Sequence, residues 1–361
     1  MRSMANLEYS YICRELQSLV GGRLEKTYEL EEGEFRFRFR VPGRYEDLTV
    51  VLGERMHLTR YIKEAPKIPT NITMYLRKRL KGAKLESIKQ HGFDRVVVFD
   101  FGIFSLIFEM FAKGNIALTQ PDGTIARVYR MEEWKDRVLK GGREYRFPQS
   151  GRISPPFDDG SLRDVLEPKA LMAILSSKTN FGNAYLEEAC LRAGLELKTD
   201  ASKLSEEQVS SLVKELNGIY TSGKACVYLE DGKPVDYSLV ALGKYSELEC
   251  EETKTLSGAI DECVNAGFEG KGEREGGTES RRAKLEKRLQ KQREHYESMS
   301  KLAEECKRSG DEIYSRYNEI EDILKTIREM RKRGKGWDEI KGVLKGRCEI
   351  DEHSGTLVLS N

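Results

Sequence analysis

Between Leu285 and Ile327 apolar residues recur at spacings that alternate between four and three. The series is Leu285, Leu289, Gln292, Tyr296, Met299, Ala303, Cys306, Gly310, Ile313, Tyr317, Ile320, Leu324 and Ile327, and only Gln292 and Gly310 interrupt its apolar character. A seven-residue repeat of this kind predicts a coiled coil. Residues 281–333 as one straight helix would reach roughly 80 Å, with a weak point at Gly310, which costs about 1 kcal/mol relative to alanine. One such helix cannot bury its own stripe. It needs a second helix, from a later segment of the chain or from a second copy, and residues 334–361 supply only a short helix at 337–344 and strand-like pieces. The sequence therefore predicts a chain that is incomplete or dimeric.

At 361 residues the chain is long enough for two or three domains. Its most apolar stretch, residues 96–111, is broken by Asp100 and Glu109, whereas a membrane span needs about 20 apolar residues, so no membrane partner is expected. The Phe, Tyr and Trp content is ample for a core. Seven scattered cysteines form no Cys-x-x-Cys pair, and there are only four histidines. No zinc site or other cofactor is expected. No secretory leader is legible, and reduced thiols in a cytoplasm are the simplest reading.

Residues 1–150 read as α+β. A short amphipathic helix at 6–19 ends at Gly21 and Gly22. Residues 34–41 alternate Phe35, Phe37 and Phe39 with Arg36, Arg38 and Arg40, the period of a half-buried strand. Further strands are predicted at 48–52, 57–61, 85–90, 95–101, 104–111, 115–119 and 125–129, and a helix at 70–80. Pro148, Pro155 and Pro156 mark a boundary. A helical domain at 151–266 follows, with helices at 161–175, 183–193 and 205–216, the last capped by Asp200 or Ser205. It closes with a hairpin across 227–240 and a short helix at 259–264. Residues 267–280 read as a Gly- and charge-rich linker, 281–333 as the coiled-coil arm, and 334–361 as the start of a small middle domain.

No catalytic constellation is present: there is no P-loop and no Gly-x-Ser-x-Gly. Basic character is more informative. Residues 281–293 carry seven cations (among them Arg281, Arg282, Lys284 and Arg288) against one anion, Glu286. Phosphate neutralisation is one use of such a face; a solvated helix flank is the plainer one. Arg77, Lys78, Arg79 and Lys81, with Arg36, Arg38 and Arg40, point the same way. Asp94-Arg95 follows the Gly92 turn. The residues alone favour an Asp that satisfies the turn and an Arg that lies outward; the functional alternative is an arginine fork gripping a phosphate or base edge while the carboxylate orients it.

Several runs carry a family resemblance: Leu76-Arg77-Lys78-Arg79-Leu80-Lys81-Gly82, Gln90-His91-Gly92-Phe93-Asp94-Arg95-Val96, Glu-Met-Phe-Ala-Lys-Gly-Asn-Ile-Ala-Leu at 109–118, the Arg137…Gly142…Tyr145…Pro148 pattern, residues 182–194, and Gly310-Asp311-Glu312-Ile313-Tyr314. Together they resemble the NFACT family, whose older bacterial label is fibronectin-binding protein. The resemblance implies an amino-terminal β-sandwich like that of formamidopyrimidine-DNA glycosylases with flanking helices, a helix-two-turns-helix-like domain and a long coiled-coil arm. It implies a ribosome-associated quality control factor that binds the large ribosomal subunit carrying peptidyl-tRNA and recruits tRNA, alanyl-tRNA especially, so that the stalled chain is extended without mRNA. The factor is not itself an enzyme, since the ribosome makes the bond. The tRNA-handling positions implied are Asp94 and Arg95, with Glu8, Glu109 and Lys113; this reverses the plain reading of Asp94 and Arg95. Glu8 stands where relatives often have Asp, and Lys113 where bacterial relatives often have Arg. The family's return helix and further domain are not in this sequence. Met1-Arg2-Ser3 offers no nucleophilic proline, so glycosylase activity is not expected. The competing readings are a nucleic-acid-processing enzyme of glycosylase descent and a coiled-coil adhesion or scaffold protein.

Overall fold

The computed structural model describes residues 2–134, 137–149, 151–272, 275–351 and 356–359, excluding the side chains of residues 222, 267–289, 291, 292 and 295. Two compact units divide the chain, residues 1–273 and 274–361.

The first unit opens with helix α1 (Asn6–Glu15) and a four-stranded antiparallel sheet, β1 (Arg23–Glu31), β2 (Glu34–Val41), β3 (Arg44–Val51) and β4 (Arg55–Thr59), in sequence order. Helix α2 (Asn71–Leu80) leads to a five-stranded antiparallel sheet, again in sequence order: β5 (Ser87–Gln90), β6 (Val96–Asp100), β7 (Ser105–Glu109), β8 (Asn115–Thr119) and β9 (Ile125–Val128). The Phe stripe of β2 explains why the sheets stack. Phe37 meets Phe108 edge-on at 5.4 Å, and Phe39 lies 6.4 Å from Phe99. Leu106, Ile116 and Leu118 face the same core. The outer face of the second sheet, Val96, Ile107, Ala117, Ile125 and Val128, is covered by Leu139 and Tyr145, near the two-residue strands β10 (Glu132–Glu133) and β11 (Val138–Leu139).

Strand β1 escapes the sequence pattern because it is an edge strand with two register irregularities, between Leu24 and Lys26 and between Glu29 and Glu31, which disrupt the period of two. The arginines of β2 also depart from expectation. Arg36 is buried beside Asp47 (3.6 Å) and donates to the Lys63 carbonyl (2.7 Å), while Arg38 reaches Asp47 at 4.0 Å and Arg40 reaches Glu25 at 3.2 Å. Carboxylates within the fold occupy all three.

The β3–β4 and β7–β8 turns interlock. Gly114 (φ +65°) and Gly53 (φ +76°) approach so closely that a β-carbon on Gly114 would collide with the Gly53 nitrogen, and one on Gly53 with the Ala112 carbonyl. Only glycine meets both the left-handed backbone and the close approach.

Three helical segments follow. The helix predicted at 161–175 is two, α3 (Asp159–Asp164) and α4 (Leu171–Lys178), separated at Pro168, which cannot continue an α-helical ladder. Next come α5 (Asn183–Arg192) and α6 (Glu206–Ser222), whose N-cap is Ser205, with Gln208 completing a capping box. Asp200 instead caps a single 3-10 turn. The hairpin β12 (Cys226–Glu230) and β13 (Lys233–Ser238) gains an edge strand, β14 (Glu249–Glu252), unread because its Glu-Cys-Glu-Glu sequence is wholly exposed. Helix α7 (Leu256–Gly272) continues through the first part of the expected linker. Glu15 accepts from the Leu256 and Ser257 amides at its start, and Asp261 accepts from Thr59 Oγ1 and Arg60 N, both at 2.7 Å. One continuous core runs from Met4 to Ile260, so the prolines near 150 do not separate two independent cores.

In the second unit, α8 (Glu275–Ser315) and α9 (Tyr317–Lys332) meet at Arg316, not at Gly310. Tyr296, Met299, Ile313 and Tyr317 are exposed, so no described residue pairs with the stripe as a coiled coil requires. The packed face of α9 keeps Ile327 of the stripe but takes Ile323 in place of Leu324: Ile323, Ile327 and Met330 pack with α10 (Trp337–Val343) and with the hairpin of β15 (Cys348–Asp351) and β16 (Thr356–Leu359). Among the described residues no helix is long and apolar enough to cross a membrane.

Because Phe37 joins the two sheets at the centre of the sandwich, Phe37→Ala should destabilise the first unit by about 3–5 kcal/mol, read as a lower urea midpoint with an unchanged slope.

Candidate nucleic-acid interface

Antiparallel pairing in the second sheet places the β5–β6 and β7–β8 turns at one end and the β6–β7 and β8–β9 turns at the other. Asp94, Arg95 and Lys113 therefore share an end. The β5–β6 turn is pinned on several sides. Phe93 is buried and stacks 6.2 Å from Phe181. Asn6 Nδ2 donates to the Phe93 carbonyl (2.8 Å), and Gln90 Nε2 donates to the carbonyls of Asn6 (3.0 Å) and Asp94 (2.9 Å). The Met110 amide donates to the Arg95 carbonyl (2.7 Å).

On this rigid turn the two side chains differ. Asp94 is half-buried, and Asn180 Nδ2 donates to its Oδ1 at 2.6 Å. Asn180 Oδ1 in turn accepts from Arg152 Nη1 at 3.3 Å. Burial raises the Asp94 carboxyl above its ordinary pKa, against the opposing pull of His91, Arg152, Arg95 and the Asn180 hydrogen bond. Arg95 is half-buried, and its side chain makes no hydrogen bond or ion pair with any described residue. Beside it the Tyr9 hydroxyl is buried without a hydrogen-bond partner, its pKa raised by burial despite the fields of Arg95 and Arg55. His91 stacks flat on Phe147 with centroids 3.7 Å apart. A desolvated carboxylate next to an unspent guanidinium can take a bidentate anion or base edge on the arginine and a donor on the carboxylate.

Glu8 and Glu109 are placed otherwise than as direct contacts. Glu8 is fully buried. Arg2 bridges both its oxygens (2.5 and 3.0 Å), the Ala5 amide donates at 2.6 Å, and the Tyr185 hydroxyl donates at 2.6 Å. Burial opposes the Arg2 charge, but Glu8 outweighs it and raises the Arg2 pKa; Tyr185 is raised by burial and by Glu8. Glu109 is likewise buried, and its bidentate partner is Arg137 (2.6 and 3.0 Å), with the Tyr145 hydroxyl donating at 2.8 Å. Lys113 does not reach it; that side chain is exposed. Both carboxylates are thus internal struts. The separations, 86 residues for Asn180 and Asp94 and 28 for Arg152 and Asn180, explain why Asn180 and Arg152 gave no local signal; Arg137 and Tyr145 stood out only in the family pattern, and Arg2, six residues from Glu8, not at all.

Arg77 also turns inward, donating to the Thr27 carbonyl (2.8 Å) and lying over Tyr28. Lys78, Arg79 and Lys81 are exposed. Arg281, Arg282, Lys284 and Arg288 are on α8, with side chains outside the described residues. Among the described residues no cluster of His, Cys, Asp or Glu could hold a metal.

Two outcomes follow from this geometry. Arg137→Ala leaves the buried Glu109 carboxylate without its partner and should destabilise the protein by about 3–5 kcal/mol in denaturant titration. Because the Asp94 pKa is raised, ionised Asp94 weakens folding at neutral pH. Asp94→Asn should therefore be more stable than the parent at pH 7, and the difference should shrink as the pH falls below the elevated folded-state pKa and vanish below the ordinary aspartate pKa, where the carboxyl is protonated in both states.

A family model described as NFACT N-terminal and middle domains matches residues 8–350. The archaeal Rqc2 homolog aRqcH of Methanocaldococcus jannaschii is 29% identical over 99% of this chain and 58% of its own length. The human ribosome quality control complex subunit NEMF is 27% identical over 68% of this chain and 26% of its own. This chain thus spans little more than half of the archaeal relative and about a quarter of the human one. The fibrinogen binding protein of Staphylococcus aureus has the same fold, with a TM-score of 0.60 at 17% identity over 71% of this chain and 97% of that one. Matched along nearly its whole length by that family model, the chain belongs to the NFACT family.

Proposed function

We propose that this chain works in ribosome-associated quality control, binding the large ribosomal subunit that holds an obstructed peptidyl-tRNA and recruiting tRNA for mRNA-independent extension of the stalled chain. Its relatives' names support the quality control role. The observation that carries the tRNA assignment is the Arg95 guanidinium, held on a pinned turn beside a desolvated carboxylate and without a hydrogen-bond or ion-pair partner among the described residues. Arginine in a fixed orientation suits both a phosphate and a guanine edge, and Lys113 adds an exposed cation at the same end of the sheet. Glu8 and Glu109 hold the scaffold rather than touch the ligand. Alanyl-tRNA is the class expected to be recruited. The ribosome forms the peptide bond, so the chain's own contribution is binding and positioning, in the cytoplasm.

Purified large subunits carrying peptidyl-tRNA, incubated with the protein and total tRNA, should retain tRNA through gradient sedimentation. Asp94→Ala combined with Arg95→Ala should lower the retained tRNA at least tenfold with the thermal midpoint maintained. Equal retention by the doubly substituted protein overturns the assignment of these two residues.

A further inference from the structure

At the opposite end of the second sheet lies a groove of about 300 Å³ lined by Tyr75, Arg79, Phe104, Gln120, Thr124 and Gly142, among others. Its walls come from four separate parts of the sequence: α2, the β6–β7 turn, the β8–β9 turn with the start of β9, and Gly142 after β11. Strands of five residues separate the two ends of this sheet, which is about 17 Å at 3.4 Å per residue. The groove is therefore out of reach of any single contact made by Arg95.

The exposed cations on α2 and β9, the elements beside the groove, contrast with the arginines of β2. Lys78, Arg79, Lys81 and Arg127 are exposed, and none has a carboxylate within 4.0 Å among the described residues. Arg36, Arg38 and Arg40 on β2 all have one. Helix α2 carries no acidic side chain. Its macrodipole accounts for cations in its last turn, but not for Arg127, which comes from β9. Arg79 and Arg127 approach the Tyr75 ring at 5.6 and 5.8 Å, and Arg79 lies 5.9 Å from Phe104. These distances are near the outer limit of cation–π contact, so the arginines lie only loosely over the rings. Tyr75 and Phe104 are only partly buried, and the Gln120 side chain is exposed without a hydrogen-bond partner among the described residues. The Asp122 carboxylate nearby is engaged by the Thr124 amide.

We infer that this groove is a second RNA contact, which takes a single-stranded segment by stacking one unpaired base on Tyr75 and pairing the flanking phosphates with Lys78, Arg79 and Arg127. Aromatic rings interleaved with unpaired cations suit that ligand: stacking tolerates any base, and the cations follow the backbone. A duplex, whose bases are already stacked, gains only the phosphate contacts. Gln120 and Thr124 offer donors and acceptors to the base edge. The contact is additional to Asp94 and Arg95 and independent of the quality control reading.

The test is fluorescence anisotropy of the 361-residue protein with a labelled 12-nucleotide single-stranded RNA and, separately, a blunt RNA duplex. Lys78→Gln, Arg79→Gln and Arg127→Gln together should weaken single-strand binding at least tenfold and lower the slope of log affinity against log salt by about 2. Tyr75→Leu should weaken single-strand binding about tenfold and leave the duplex unchanged, while Tyr75→Phe, which keeps the ring, should match the parent. Arg38→Gln with Arg40→Gln serves as the paired-cation control and should have no effect. The inference is overturned if the triple variant binds as the parent does, if the control loses as much, or if Tyr75→Leu affects strand and duplex alike. The Asp94→Ala, Arg95→Ala protein should keep this short-RNA affinity whatever its tRNA retention, so the two assignments fail separately.

Discussion

The first unit depends on one buried carboxylate. Glu8 sits in the first turn of α1 with no exposed surface and four polar contacts: two from Arg2, one from the Ala5 amide and one from Tyr185. Through Arg2 it reaches the Tyr237 carbonyl and Asp236 on β13, and through Tyr185 the Leu239 amide. A charge in the interior is tolerable only when its partners are complete. Completing these partners fixes the amino terminus, α5 and the returning hairpin around a single point. The α1 segment then holds the β5–β6 turn through Asn6, so the placement of Arg95 descends from a side chain it does not touch.

The cations in the basic runs and near the proposed sites fall into two groups. Arg36, Arg38, Arg40, Arg77 and Arg137 lie in cationic runs or near proposed sites, yet each is matched within the fold by a carboxylate, a carbonyl or an aromatic face. Arg95, Lys78 and Lys81 have no such match among the described residues, and Arg79 and Arg127 only loose contacts with rings. With a net charge of +1, overall charge gives no hint of this division. It comes from where the carboxylates are spent.

Local periodicity was readable and long-range pairing was not. The Phe stripe at 34–41 and the five strands of the second sheet follow from side-chain spacing and turn chemistry and form where expected, and Ser205 is the helix cap of the two candidates the sequence offered. The edge strands β1 and β14 lack a buried face with clean alternation, and Pro168 divides a helix whose apolar pattern runs on across it. In the second unit the spacing of α8 and α9 is helical as expected, but the buried face of α9 passes through Ile323 rather than Leu324. A seven-residue count carries no information about the short helix and hairpin that pack there. At the candidate interface the Asp94–Arg95 turn was legible, whereas Asn180, Arg152 and Arg137 join it only through tertiary folding.

The interlocked glycine turns give the second sheet a fixed pole and a free one. Around Gly53 and Gly114 two backbones occupy the same shell of space, so neither loop can lengthen without prising the sheets apart. Gly123, at the other pole, has nothing within 4 Å of where a β-carbon would sit, so a side chain there meets no packed neighbour. Descendants of this chain can thus vary the side chain at the β8–β9 turn beside the groove, while the β7–β8 loop that shares an end with Arg95 is held to one length.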